Sequence, residues 1–188
     1  WVTWMPWPSM CSSPPALWSP VFPSSSDCWR WWPSWTGATA SLGYLEDLVQ
    51  WAIKHNIVLI NDAAYGVLSF DREPTSLLQV KDAKHIAVEL HSLSKSHNMT
   101  GWRIGWVCGN PQIVKLYGYV KENMDSGQFL GIQKAAIEGS RNFEIIEKNQ
   151  EKYFRRLSKL SEVLGRLGWI GTYVRGSFFL YAKAPKIA

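Results

Sequence analysis

His91-Ser92-Leu93-Ser94-Lys95-Ser96-His97-Asn98-Met99-Thr100-Gly101-Trp102-Arg103-Ile104-Gly105 gathers hydroxyls, one lysine and one arginine directly behind an apolar run. That run, Ile86-Ala87-Val88-Glu89-Leu90, has the length and content of a buried strand, and Trp102-Arg103-Ile104-Gly105-Trp106-Val107 reads as the next one. Lys95 is therefore predicted on a loop at a strand end, where a rigid scaffold commonly presents reactive groups.

A lysine is a nucleophile toward carbonyls only when unprotonated, a form favoured by burial beside other cations, and Arg103 is the candidate neighbour. The hydroxyls of Ser92 and Ser94 with the planar guanidinium of Arg103 supply convergent donors and a fixed positive charge, the parts needed to grip a phosphate. A carbonyl-reactive lysine beside a phosphate cup points to pyridoxal phosphate. Two other readings stay open: a strand-loop-strand that merely carries polar residues, and an S-x-x-K acyl-transfer site with Ser92 as nucleophile, although the K-T-G partner of that motif is absent from the sequence.

Upstream, Tyr44 to Lys54 sets Leu45, Leu48, Val49 and Ala52 on one helical face, and Asn56 is placed to end the helix. Ile57-Val58-Leu59-Ile60 follows as an apolar run of strand length, then Asn61-Asp62-Ala63-Ala64-Tyr65-Gly66. A helix feeding a continuous apolar strand predicts an α/β fold, a mostly parallel sheet with helices on both faces, whose site lies outside the carboxyl ends of its strands. Asp62, Tyr65, Lys95 and Arg103 are thus candidates for one pocket. Asp62 as a helix cap and Tyr65 as a half-buried core ring are the structural alternatives.

Downstream, Pro111 opens a helix to about Lys121, Gly127 interrupts, and Phe129 to Gly139 reads as another helix. Asn142 is a candidate cap for a long amphipathic helix, Phe143 to Leu167, closed by Gly168. Trp169 to Val174 and Ser177 to Ala182 read as strands. Residues 1–36 differ in kind. They hold eight of the twelve tryptophans and seven of the ten prolines, with Asp27 and Arg30 as their only charges, a composition hostile to helix and central strand alike. We expect this segment to be non-native, as from out-of-frame translation, with a Trp-rich binding arm as the alternative.

A net charge of +5 without a dense basic run gives no support for nucleic-acid binding, and no apolar run approaches a membrane span. Cys11, Cys28 and Cys108 are widely separated, and His55, His85, His91 and His97 lack metal-ligand spacing, so neither a disulfide framework nor a metal site is expected. The location expected by elimination is cytoplasmic.

Thr36-Gly37-Ala38, Asn61 to Gly66, Ser92-Leu93-Ser94-Lys95 and Gly101-Trp102-Arg103-Ile104-Gly105, in that order and spacing, resemble the large-domain motifs of class I/II pyridoxal-phosphate aminotransferases. The resemblance covers residues 36 to 188. The stretch Leu90 to Trp106, with Lys121 to Phe129, is similar to the LL-diaminopimelate aminotransferase subgroup. It implies a partial large domain over 37–142, then a linking helix and the start of a small α+β domain over 143–188. It also implies pyridoxal 5'-phosphate as cofactor, amino-acid and 2-oxo-acid substrates, and a homodimer in the full-length parent. Lys95 would hold the cofactor covalently and shuttle the substrate proton. Asp62 would pair with the ring nitrogen, Tyr65 would donate to the ring's phenolic oxygen, and Ser92, Ser94 and Arg103 would hold the phosphate. The family writes Asn-Pro-Thr-Gly where this chain has Ser34-Trp35-Thr36-Gly37, and its upstream glycine-rich loop and downstream carboxylate-binding arginine have no match here; Arg175 stands in a different context. The alternatives left open are an inactive truncated remnant and an aspartate, alanine or aromatic aminotransferase of the same class.

Overall fold

Ser41 opens the first helix, α1 (Leu42–His55), its side-chain oxygen accepting the Tyr44 amide at 3.3 Å. The predicted stripe is the buried one: Leu45, Val49 and Ala52 face inward, and Leu48 is half-buried. The computed structural model describes residues 40–71, 73–125, 127–171 and 175–185. The Trp-rich segment 1–36, the Thr36-Gly37-Ala38 motif and residues 172–174 of the predicted strand 169–174 lie outside the described residues.

Asn56 ends α1 in the left-handed conformation (φ 53°), its amide and that of Ile57 closing onto the carbonyls of the last turn. This capping holds residues 56 and 57 to the helix, so β1 spans Leu59–Asp62 and begins two residues later than the apolar run predicts. β2 (Ala87–Ser92) pairs parallel to β1, with Leu59 opposite Ala87 and Asp62 opposite Leu90, as an α/β sheet requires. β3 (Gly105–Gly109) lies on the other side of β2 and runs antiparallel, so the three-stranded sheet is mixed, one parallel pair and one antiparallel. The connection explains this. It holds only a one-turn helix, α2 (Leu93–Ser96), and a 3-10 turn at Thr100–Trp102, which return the chain alongside β2 instead of crossing over it. Trp102 is therefore in a turn, and the strand predicted from residue 102 starts at Gly105.

Beneath the sheet, Leu45 and Val49 of α1 meet Leu77, Val80, Ala83 and Ala87, with Leu59 and Leu78 against them. Each large side chain so buried contributes about 1.5–3 kcal/mol. On the opposite face Ile60 is 65% exposed.

α3 (Pro111–Met124) starts at Asn110, whose Oδ1 accepts the amides of Gln112 and Ile113. α4 (Leu130–Ser140) and α5 (Phe143–Arg166) follow; Asn142 occupies the cap position of α5 without a side-chain capping bond. β4 (Ile170–Gly171) and β5 (Ala182–Lys183) pair antiparallel. The strand predicted over 177–182 is reduced to its end because Ser177 turns the chain at φ 67°. Its amide bonds to the Leu68 carbonyl at 2.7 Å, and Phe70 bonds to the Arg175 carbonyl at 2.8 Å, which docks this stretch against the loop that follows Asp62. Among the described residues no helix is long and apolar enough to cross a membrane, and no group of three side chains could hold a metal.

Candidate active site

Parallel pairing of β1 and β2 brings two carboxyl ends side by side, so Asp62 and Ser92 project from neighbouring strand ends. Ser92 caps α2. Its Oγ accepts the Ser94 amide at 3.1 Å and donates to the Ile104 carbonyl at 3.2 Å, joining the entrance of α2 to the approach of β3. In the structure this hydroxyl donates to Ile104 and not to Lys95. Ser94 is buried, and its carbonyl accepts the Thr100 hydroxyl at 3.0 Å.

Lys95 stands in the last turn of α2, its Nζ 5.4 Å from the ring centre of Tyr65 and 5.4 Å from that of Phe178. Tyr65 in turn packs edge-on against Phe178 at 5.3 Å and meets Phe179 at 5.5 Å. Burial, and secondarily the Asp62 carboxylate, push the Tyr65 phenol above its ordinary range, so the hydroxyl keeps its proton. Asp62 is exposed, with Oδ1 accepting the Ala64 amide at 3.2 Å in a local turn; no helix starts there, so the cap alternative does not hold.

Arg103 is exposed and left-handed at φ 52°, and its Nη1 donates to the Thr100 carbonyl at 2.7 Å. Its side chain thus folds back over the turn whose hydroxyl holds Ser94. Two positions later the strands approach so closely that a Cβ on Gly105 would lie 2.6 Å from the His91 carbonyl oxygen. The structure therefore brings Lys95 to Tyr65, with Asp62 near enough to act on the phenol, and puts Lys95 with Ser94 in the one-turn helix α2 and not on the predicted loop, Ser92 capping that helix and Arg103 following the turn after it.

Several residues that serve this site were not singled out from sequence. From α5, Asn149 donates to the Ser96 carbonyl at 2.8 Å and accepts Asn98 Nδ2 at 2.8 Å, and Tyr153 donates to Asn98 Oδ1 at 2.7 Å, so the long helix clamps the lysine turn. A buried asparagine among charged residues of an amphipathic helix was the available signal. In the sequence Phe178 reads only as strand, and Glu89 only as part of an apolar run.

A lysine amine, hydroxyls and an exposed guanidinium around one loop, with a carboxylate on the adjacent strand end, form a donor set that fits an aromatic phosphate ester with a reactive carbonyl. Residues 34–187 match the family described as aminotransferase class I and II. The chain is similar to LL-diaminopimelate aminotransferase of Methanococcus maripaludis, 47% identical over 150 residues that cover 80% of this chain and 36% of that protein. The same enzyme of Methanocaldococcus jannaschii is 45% identical over 150 residues, again 80% of this chain and 36% of the relative. Among solved structures, apo-BacF of Bacillus subtilis superposes with a TM-score of 0.76 at 35% identity, over 80% of this chain and 39% of that one. The chain thus spans little more than a third of the length of these relatives. With the family match covering most of the sequence and the parallel strand ends supporting its motifs, this chain belongs to the aminotransferase class I and II family.

Proposed function

We propose that this chain carries the cofactor lysine of a pyridoxal-phosphate-dependent transaminase that moves an amino group between an amino acid and a 2-oxo acid. The observation that carries the proposal is the approach of Lys95 Nζ to the Tyr65 ring, 5.4 Å from its centre, beside the paired strand ends that carry Asp62 and Ser92. LL-diaminopimelate with 2-oxoglutarate is the favoured substrate pair, supported by the names of the relatives that are 47% and 45% identical. On this reading the parent is a homodimer, as the family resemblance implies, and cytoplasmic, with residues 37–142 in its large domain and 143–188 leading into the small one.

When bound, the pyridoxal ring supplies an electron sink for charge left on the substrate. Lys95 would bind the cofactor's carbonyl carbon through Nζ and, once released, take the proton from the substrate α-carbon at that same atom. Asp62 would keep the ring nitrogen protonated by placing a negative charge beside it. Tyr65 would orient the ring by donating its hydroxyl proton, consistent with a phenol held above its usual range. Ser92, Ser94 and Arg103 would hold the phosphate and so fix the orientation of the reacting atoms.

The test is to add pyridoxal 5'-phosphate to the chain, reduce with borohydride and map the labelled peptide. Label is expected on Lys95 and absent from Lys95→Arg, which keeps the charge but not the amine chemistry. Addition of glutamate before reduction should then discharge the bound cofactor to its amine form. Absorbance of free cofactor alone would establish the inactive remnant, label on Lys115 or Lys121 would overturn the assignment, and a β-lactam probe on Ser92 would revive the S-x-x-K reading.

A further inference from the structure

Glu89 lies in the middle of β2 with 2% of its surface exposed, a charge set between the apolar side chains of Val88 and Leu90. An unpaired carboxylate there would cost several kcal/mol, yet every lone pair is engaged. Oε1 accepts the Leu77 amide at 2.7 Å and Asn61 Nδ2 at 2.8 Å, while Oε2 accepts the Ser76 hydroxyl at 2.8 Å and faces His91 Nε2 at 3.2 Å. An apolar residue of similar size would fill the volume without burying charge, so packing alone does not explain a carboxylate. What the carboxylate adds is direction: four donors on three segments are held to one group.

Two of those donors adjoin the candidate site. Asn61 directly precedes Asp62 on β1, and His91 directly precedes Ser92 on β2. Successive strand residues point to opposite faces, so Glu89 grips the back of both strand ends while Asp62 and Ser92 extend from the front. His91 also stacks on Trp106 of β3, with ring centres 5.5 Å apart and planes 17° apart, which carries the same anchor to the strand reached from Arg103. The other titratable group across the sheet is Cys108, opposite Glu89 on β3, whose thiol is pushed up by burial and next by the glutamate charge.

We propose that Glu89 is a positioning residue for the cofactor site: its ionised carboxylate sets the ends of β1 and β2 through Asn61 and His91, and fixes the His91 proton on Nε2. The inference rests on the transaminase reading for what the strand ends hold, but the tautomer does not depend on it.

Glu89→Gln isolates the charge. The Leu77 amide can only donate, so the glutamine oxygen must stay at the Oε1 position, and its amide nitrogen then faces Ser76 and His91. His91 must accept there, which moves its proton to Nδ1. Long-range nitrogen-15 spectra of the cofactor-free chain at about pH 8 should report Nε2-protonated His91 in the parent and Nδ1-protonated His91 in Glu89→Gln. The affinity for pyridoxal 5'-phosphate should fall roughly ten-fold, the scale of lost outer-shell contacts, with label still on Lys95. Asn61→Leu removes one arm without removing the charge and should weaken binding on the same scale. Ser76→Ala cuts an arm on the core side and should lower stability while leaving affinity unchanged. An unchanged His91 tautomer in Glu89→Gln, or unchanged affinity in Asn61→Leu, would overturn the proposal. If the parent chain binds no pyridoxal phosphate the transaminase reading fails, and the tautomer shift still decides whether Glu89 sets His91.

Discussion

Lowering the pH should remove a defined part of this fold's stability through one group. Burial by itself pushes the Glu89 carboxyl up, but the hydrogen bonds from His91, Asn61, Ser76 and the Leu77 amide outweigh it and hold the carboxyl at about 2, against 4.5 for an ordinary glutamate. A carboxyl whose folded value is depressed stabilises the fold above its unfolded value, and that stabilisation fades as pH falls toward the folded value. The window therefore runs from about pH 4.5 down to about 2. At about 1.4 kcal/mol per unit, the full contribution is on the order of 3 kcal/mol, with roughly half remaining near pH 3. Urea unfolding followed by circular dichroism, on the parent and on Glu89→Gln, would measure it as the difference between the two at each pH. The difference should be constant down to the start of the window and shrink through it. A difference that stays flat to the bottom of the window would refute the reasoning, because the four hydrogen bonds would then not be favouring the ionised form.

Asn149→Leu should cost about 2–3 kcal/mol in urea unfolding, because it removes the 2.8 Å bonds to the Ser96 carbonyl and to Asn98 and leaves that carbonyl without its partner. Phe178→Ala should destabilise by about 3 kcal/mol, whereas Phe178→Leu, which keeps most of the volume beside Tyr65 and Tyr153, should cost less than about 1.5 kcal/mol; thermal unfolding of the pair reads the contrast. Gly109→Ala should cost at least about 2 kcal/mol in the same assay, since its φ is +133° and the added methyl would lie 2.4 Å from the Ala87 carbonyl oxygen. Gly118→Ala, in α3 with nothing within 4 Å of the added carbon, should instead stabilise by about 0.5–1 kcal/mol.

The type of each element was legible in the sequence wherever one local pattern determined it. Leu45, Val49 and Ala52 identify α1 because helical spacing alone puts them on one face. Boundaries were less legible, for reasons that lie in capping and turn geometry. Ile57 is apolar enough for a strand, but its amide is used by the end of α1; Trp102 is aromatic enough for one, but its amide closes onto the Met99 carbonyl in a turn. In both cases a hydrogen bond to the preceding element outweighs side-chain preference, and apolar content carries no record of that bond.

A similar division separates the candidate site from its support. Ser92, Ser94, Lys95 and Arg103 fall within twelve residues, so chemistry restricts residue type over a stretch short enough to read. Glu89 draws its partners from 12, 13 and 28 residues away as well as from its own strand, and Asn149 reaches Ser96 across 53. No local period links such positions. The one trace that burial of this kind leaves in a sequence is a polar residue where the pattern demands an apolar one: Glu89 in Ala87-Val88-Glu89-Leu90, Asn149 on the inward face of α5. Desolvation makes each of these costly unless partners are fixed around it, and partners so fixed also restrict the backbone that carries them. A misfit in the hydrophobic pattern beside a chemical motif is therefore where the residues that hold that motif in place should be sought.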